Sequence, residues 1–219
     1  MFFDDNLRED RSILKAVRLE VSALDSSPLP IDLDFIKDHC SIDSTDFDTL
    51  VETYLYASIL WAEGFMHRTI YSRSHVWVLK EFPYLANSEI QLPRGKTQSV
   101  ESIVYSLNGS TITLTGPSSS PAGTGYQEDL TGDHGGVLLP TRTECWPSTD
   151  YDVPAPVKIN FTAGWATASV PQQITQAVLF SIDDMFELRG AQDVANKGAN
   201  LQLRESLLLP FKLNRFYNA

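Results

Sequence analysis

The chain has 219 residues, 42% of them apolar, with four tryptophans and a formal net charge of −11. That length suits one domain with an elaboration and can bury a real core, and the composition excludes a disordered chain. The acidic balance excludes a protein that grips duplex DNA through a basic stripe, yet it suits a surface past which DNA slides without sticking; an ordinary acidic soluble protein carries the same charge.

Residues 1–30 read as an arm. Met1-Phe2-Phe3-Asp4-Asp5 has no basic region followed by an apolar stretch, so no secretion signal is expected. Ser12 to Leu24 is apolar enough for a short helix or a strand-like arm, and Ser26-Ser27-Pro28-Leu29-Pro30 breaks the chain. Asp32 to Cys40 predicts a short helix capped by Asp32, with Leu33, Ile36 and Cys40 on one face. A longer helix follows, capped by Asp43 or Ser44. Phe47, Leu50, Val51, Tyr54, Leu55, Ser58, Trp61, Ala62 and Phe65 recur at helical spacing along it. Gly64 interrupts this helix at a cost of about 1 kcal/mol against alanine, which close backbone contact would offset.

From Tyr71 the period shortens. His75 to Leu79, Ile90 with Leu92, and Ile103-Tyr105-Leu107 read as strands. Asn108-Gly109 before Ile112 and Leu114 is a strong hairpin signal. Gly116 to Gly125 reads as a flexible loop, and Gly132-Asp133-His134-Gly135-Gly136 as a turn between two short strands. Val157, Ile159 and Phe161 form a further strand ending at Ala163-Gly164-Trp165. Pro171 then opens a second long helix and Gly190 stops it. Ala191 to Asn200 reads as a loop, Leu201 to Leu209 as a last helix, and residues 210–219 as an apolar and basic tail. The fold class is α+β: a helical bundle (31–70 and 166–209) of two long and several short helices, with an inserted antiparallel β-rich lobe (71–165) and an extended C-terminal tail. No stretch is long and apolar enough to span a bilayer, so no membrane is expected.

Charge is uneven. Between Asp32 and Glu52 stand seven acids and one base, Lys37, whereas from Lys197 onward Lys197, Arg204, Lys212 and Arg215 face only Glu205. Chemistry is sparse. His39, His67, His75 and His134 lack metal spacing, and Cys40 and Cys145 suggest free thiols from a reducing cytoplasm. Asp129-Leu130-Thr131-Gly132-Asp133 fails as a calcium loop and reads as a turn. Phosphate-loop, dinucleotide and nucleophile-elbow motifs are missing. A glycosidase pair hidden among the acids, or a sugar-binding face built on Trp77, Trp146 or Trp165, are the readings from other classes. Catalysis, cofactor and metal are not expected.

The order of segments resembles the head–tail connector, or adaptor, family of tailed bacteriophages and gene transfer agents. The short acidic helix Leu33 to Asp43 precedes a longer one ending Gly64-Phe65-Met66-His67-Arg68-Thr69-Ile70. Glu89-Ile90-Gln91-Leu92-Pro93-Arg94 is followed by Gln98-Ser99-Val100-Glu101-Ser102-Ile103, then Trp146-Pro147, then Ala163-Gly164-Trp165, and Val170-Pro171-Gln172-Gln173-Ile174 opens the last long helix, closed by Glu187-Leu188-Arg189. The resemblance covers residues 31–217; the long first arm and the loop at Ser118-Ser119-Ser120 depart from it.

What the resemblance implies is a non-enzymatic ring of twelve copies beneath the portal, made in the host cytoplasm and housed in the virion. The portal protein and further neck or tail proteins are its partners, and double-stranded DNA passes the lumen without specific binding. A stopper or tail-completion role is the nearest alternative. The resemblance also sends the C-terminal segment to the portal. Its residues agree, because Phe211, Leu213, Phe216 and Tyr217, interleaved with Lys212 and Arg215, are costly to leave exposed and would fold on docking. Asp32, Asp34, Asp38, Asp43, Asp46 and Asp48 are the candidate channel-facing acids.

Overall fold

The computed structural model describes residues 16–24, 30–84, 88–116, 125–141, 145–187 and 197–213. The fold is α+β, with four α-helices and two antiparallel sheets among these residues. The chain divides into two compact units. One holds Ala23–Ser72 and Gly164–Asn214; the other is the β unit, which includes Arg73–Ala163 and the strand preceding Ala23.

In the helical unit, α1 (Leu33–His39) is capped by Asp32, whose carboxylate accepts from the Asp34 N–H at 2.9 Å. Helix α2 (Asp48–Met66) and α3 (Gln172–Glu187) bury facing stripes, Val51, Leu55, Ile59, Ala62 and Met66 against Ile174, Ala177, Val178 and Ile182. Spacings of three and four put each set on one side of its helix, and each large side chain so buried contributes roughly 1.5–3 kcal/mol. Ile36 of α1 and Leu208 of α4 (Lys197–Leu208) join the same core.

Helix boundaries depart from the sequence reading in three places. Helix α2 starts at Asp48 with Phe47 at its cap position and no side-chain cap, instead of at Asp43 or Ser44. Ser44 Oγ accepts from Asp46 N–H inside a preceding turn, and the Phe47 ring packs edge-on against Phe186 at 5.5 Å, so ring packing fixes the entry to the helix. Pro171 lies one residue before α3, and the Ile174 N–H bonds its carbonyl at 2.9 Å. Residues 197–200, expected in a loop, are the first turn of α4.

In the β unit the five-stranded sheet runs β1 (Ala16–Val21), β2 (Arg73–Leu79), β8 (Val157–Ala163), β4 (Thr97–Leu107), β5 (Ser110–Thr113), antiparallel throughout. Residues 16–21 of the expected arm are thus an edge strand paired to β2, whereas 1–15 and 25–29 lie outside the described residues. A three-stranded sheet holds β3 (Ile90–Gln91), β7 (Val137–Pro140) and β6 (Tyr126–Asp129). Trp77, Leu79, Ile103, Tyr105, Val157, Ile159 and Phe161 point into one core, since alternate residues of a strand face the same side.

The β4–β5 hairpin turns at Asn108 (φ 53°) and Gly109 (φ 71°), both left-handed as the tightest hairpin turns require. A residue remote in sequence locks it. Asp150 accepts from Ser106 Oγ at 2.7 Å and from the Asn108 and Gly109 N–H groups at 2.7 and 3.0 Å, and these bonds, Ser106 first, hold its carboxyl below the usual range.

Candidate functional site

The six acids singled out in the sequence cluster on α1 and the segment leading into α2. Asp34, Asp38, Asp43 and Asp46 are exposed, and three of them take part in local structure through their backbone: the Asp34 N–H donates to Asp32, the Asp46 N–H to Ser44 Oγ, and the Asp38 carbonyl accepts from the Ser41 N–H. Asp32 is spent on the cap of α1. Asp48 is half-buried and pairs with the Lys37 ammonium at 2.8 Å, so it is largely neutralised. The arrangement therefore presents a patch of uncompensated carboxylates ending at the Lys37–Asp48 pair.

The C-terminal residues begin differently from an extended tail. Helix α4 passes into a 3-10 turn, Leu209–Phe211, that contains Pro210. Phe211 is half-buried on the helical unit, its ring edge-on to Trp165 at 6.4 Å. The Lys212 ammonium lies 4.4 Å from the centre of the Phe65 ring, a favourable cation–π distance. The Leu213 N–H donates to the Met66 carbonyl at 2.9 Å, satisfying one of the acceptors orphaned at the end of α2. Residues 210–213 are thus held by their own subunit, because Trp165 and the end of α2 supply the apolar and polar partners those residues need. Arg215, Phe216 and Tyr217 lie outside the described residues.

Trp165 is itself fixed from several sides. Arg68 lies 5.0 Å from its ring centre, and its N–H donates to the Ile70 carbonyl at 2.8 Å. Nearby Glu63 is buried and accepts from the Ile70 N–H at 2.9 Å, while burial and then the Glu63 charge push the Tyr71 hydroxyl up to about 12.

A groove of about 570 Å³ opens on the helical unit between Tyr54, Trp61, Met185 and Leu201, with Arg204, Asp184 and Ser181 also lining it. The Arg204 guanidinium is 3.2 Å from the Asp184 carboxylate, 3.2 Å from Ser181 Oγ and 5.3 Å from the Trp61 ring centre. No local pattern points to this cluster, since residues 61, 184 and 204 meet only through the packing of α2, α3 and α4.

The groove carries one carboxylate, already paired to Arg204, where a glycosidase needs two. Trp77, Trp146 and Trp165 are all buried, and Trp146 spends its indole N–H on the Ser88 carbonyl at 2.8 Å, so none supplies an open sugar-stacking face. Cys40 is held as a thiol, pushed up to about 11 by burial, then by Asp183 and Glu187. Among the described residues no group of three His, Cys, Asp or Glu is placed to hold a metal ion, and no helix is long and apolar enough to cross a membrane.

No protein-family model and no curated protein matches the chain. Solved structures do share its fold. A chain in the virion of a native gene transfer agent particle superposes with a TM-score of 0.68. A chain in the neck of an empty gene transfer agent particle, computed with C6 symmetry, gives 0.66, and one in the neck of a native particle, computed with C12 symmetry, gives 0.61. Each is 18% identical, and each match covers 92% of this chain and 98% of the other.

Proposed function

We propose that this chain is a structural subunit of the neck of a tailed phage or gene transfer agent, and within the neck the head–tail adaptor. In this reading it forms a ring beneath the portal, continues the DNA channel and joins head to tail without catalysing a reaction. The carrying observation is the extent of the likeness to neck and virion chains. It takes in 92% of this chain and 98% of theirs, so both units and their order along the chain are shared and little of either chain is left over for another task. The symmetry of those necks supports a ring of repeated copies here, with twelve as the count.

Two surfaces are assigned within this reading. The exposed carboxylates Asp34, Asp38, Asp43 and Asp46 face the channel and repel phosphate, with Asp32 and Asp48 at the edges of the same patch. The end of the chain from Phe211 through Lys212, Leu213, Arg215, Phe216 and Tyr217 approaches the portal. Its first three residues are anchored on the helical unit and the apolar-basic residues beyond them are the contact.

The test is to delete the gene in the parent virus or agent and image the particles. DNA-filled heads without tails are expected, and restored wild-type protein should appear as a ring directly against the portal. A ring found only against the tail tube would make this a stopper or tail-completion protein, and intact particles lacking the chain would end the neck reading.

A further inference from the structure

Unlike α1, which exposes Asp34 and Asp38, α2 and α4 each present a solvent face whose exposed residues, among those described, carry no charge, with half-buried Glu52 beside the first and half-buried Glu205 within the second. On α2 every exposed residue belongs to one line, Thr49, Thr53, Ala57, Leu60 and Gly64, spaced i, i+4, i+8, i+11 and i+15. From Leu201 to Pro210 the exposed residues are Leu201, Gln202, Leu203, Ser206, Leu209 and Pro210. Three leucines stand out from these faces, Leu60 at 59%, Leu203 at 48% and Leu209 at 62% exposure. In a chain with 28 acids and a net charge of −11, two helix faces with no fully exposed charge are places where like-charged copies can meet with little repulsion.

Gly64 adds an independent observation. Glycine in a helix interior is destabilising relative to alanine. A side chain built there would meet nothing within 4 Å, so no contact among the described residues explains the glycine. Its backbone is left bare at the C-terminal end of that line, which is what close approach of another backbone or a protruding leucine needs.

Resting on the ring reading, we propose that the α2 face of one copy receives the α4 face of the next. Leu203 and Leu209 sit over Ala57 and Gly64, and Leu60 packs alongside α4. The two faces are different, so the contact is head-to-tail, repeats around an axis and closes a ring.

The test uses full-length protein in the particle-producing host. Leu60→Glu and Leu203→Glu each place a charge on one face. Both variants should fold with unchanged melting temperature and yet be lost from necks. Gly64→Ala should raise the melting temperature of the isolated subunit by about 2–4 °C while weakening assembly about tenfold. In a Cys145→Ser background, Ala57→Cys combined with Leu203→Cys should give disulfide-linked ladders beyond the dimer in particles, while either cysteine alone should give none. Folded Leu60→Glu subunits found at normal levels in necks would overturn the contact and leave the neck reading intact. A dimer from Ala57→Cys alone would overturn it in favour of a two-fold contact. Absence of the wild-type chain from necks would instead remove the reading on which the contact rests.

Discussion

Gly164 joins the strand β8 to the helical unit with φ +114°, a region side chains rarely adopt. A Cβ there would lie 2.7 Å from the Tyr71 carbonyl carbon and oxygen, both backbone atoms that cannot swing away. The contact is tight because two bonds flank it, Trp165 N–H to the Ile70 carbonyl and Ser72 N–H to the Trp165 carbonyl at 2.9 Å. Gly164→Ala is therefore expected to cost at least about 1–3 kcal/mol, since it adds backbone strain to a clash. Denaturant melts of purified protein check this, and a loss under about 0.5 kcal/mol would show that the junction relaxes freely. A second residue-scale expectation concerns His75, which is 1% exposed and stacked on Phe161 at 5.1 Å. Burial, aided by the Arg73 and Arg94 charges and opposed by the Arg73 carbonyl and Glu101, pulls its imidazole down to about 4. The unfolded chain binds this proton near pH 6.5 and the folded chain only near 4. Stability is therefore fully present above pH 6.5 and falls as pH drops towards 4, by up to about 3 kcal/mol from this residue. The His75 ring resonances should stay neutral at pH 5 in the folded protein; titration with a midpoint near 6.5 would remove the argument.

At the scale of elements, what could be read in advance depended on whether local sequence decides the outcome. The α2 periodicity, the β8 alternation and the Asn108-Gly109 turn are local patterns, and each appears as an element; β8 buries its expected face, whereas α2 buries Val51, Leu55, Ser58 and Ala62 of the expected line together with Ile59, Glu63 and Met66, and leaves Leu50, Tyr54, Trp61 and Phe65 half-buried. The start of α2 did not follow local cap chemistry, because Phe47 finds Phe186, 139 residues away in sequence, and that packing outweighs a cap at Ser44. Strand order was beyond reach for the same reason: β1 pairs with β2, and β8 enters between β2 and β4, through contacts no local window contains. Asp150 as the lock of a hairpin 41–44 residues earlier is another such case. The C-terminal turn shows the functional consequence. Apolar residues in a basic tail pointed outward to a partner, yet Phe211 finds Trp165 and Leu213 finds Met66 within the subunit. Two truncations should therefore behave differently. Removing residues 214–219 keeps the 210–213 anchor and is expected to abolish attachment to portal-bearing heads. Removing 210–219 also strips the Phe211 ring from Trp165 and should cost a further ~1–3 kcal/mol. Normal attachment by the shorter truncation would defeat the portal assignment of the tail, and equal melting temperatures would defeat the anchor.

For the whole molecule the governing quantity is charge repeated over copies. In the proposed ring each subunit would contribute −11, and the copies together would multiply that field around whatever passes through. The one basic partner inside the acidic segment, Lys37, is consumed by Asp48, so the exposed carboxylates Asp34, Asp38 and Asp43 act on their surroundings uncompensated. If these acids line the proposed channel, the wall would give duplex DNA no phosphate contacts and hence no counterions to release, so passage would not be slowed by binding. Reversing Asp34, Asp38 and Asp43 to lysine changes each copy's net charge by +6 and leaves the buried stripes of α1 and α2 untouched. Each new lysine at the lumen adds a phosphate contact whose strength falls steeply with salt. Particles carrying the triple reversal should assemble, retain DNA against the neck, and eject it slowly at low ionic strength, with the rate recovering as salt rises through about 0.2 M. Ejection that is fast and insensitive to salt in such particles would mean that these acids lie away from the DNA path.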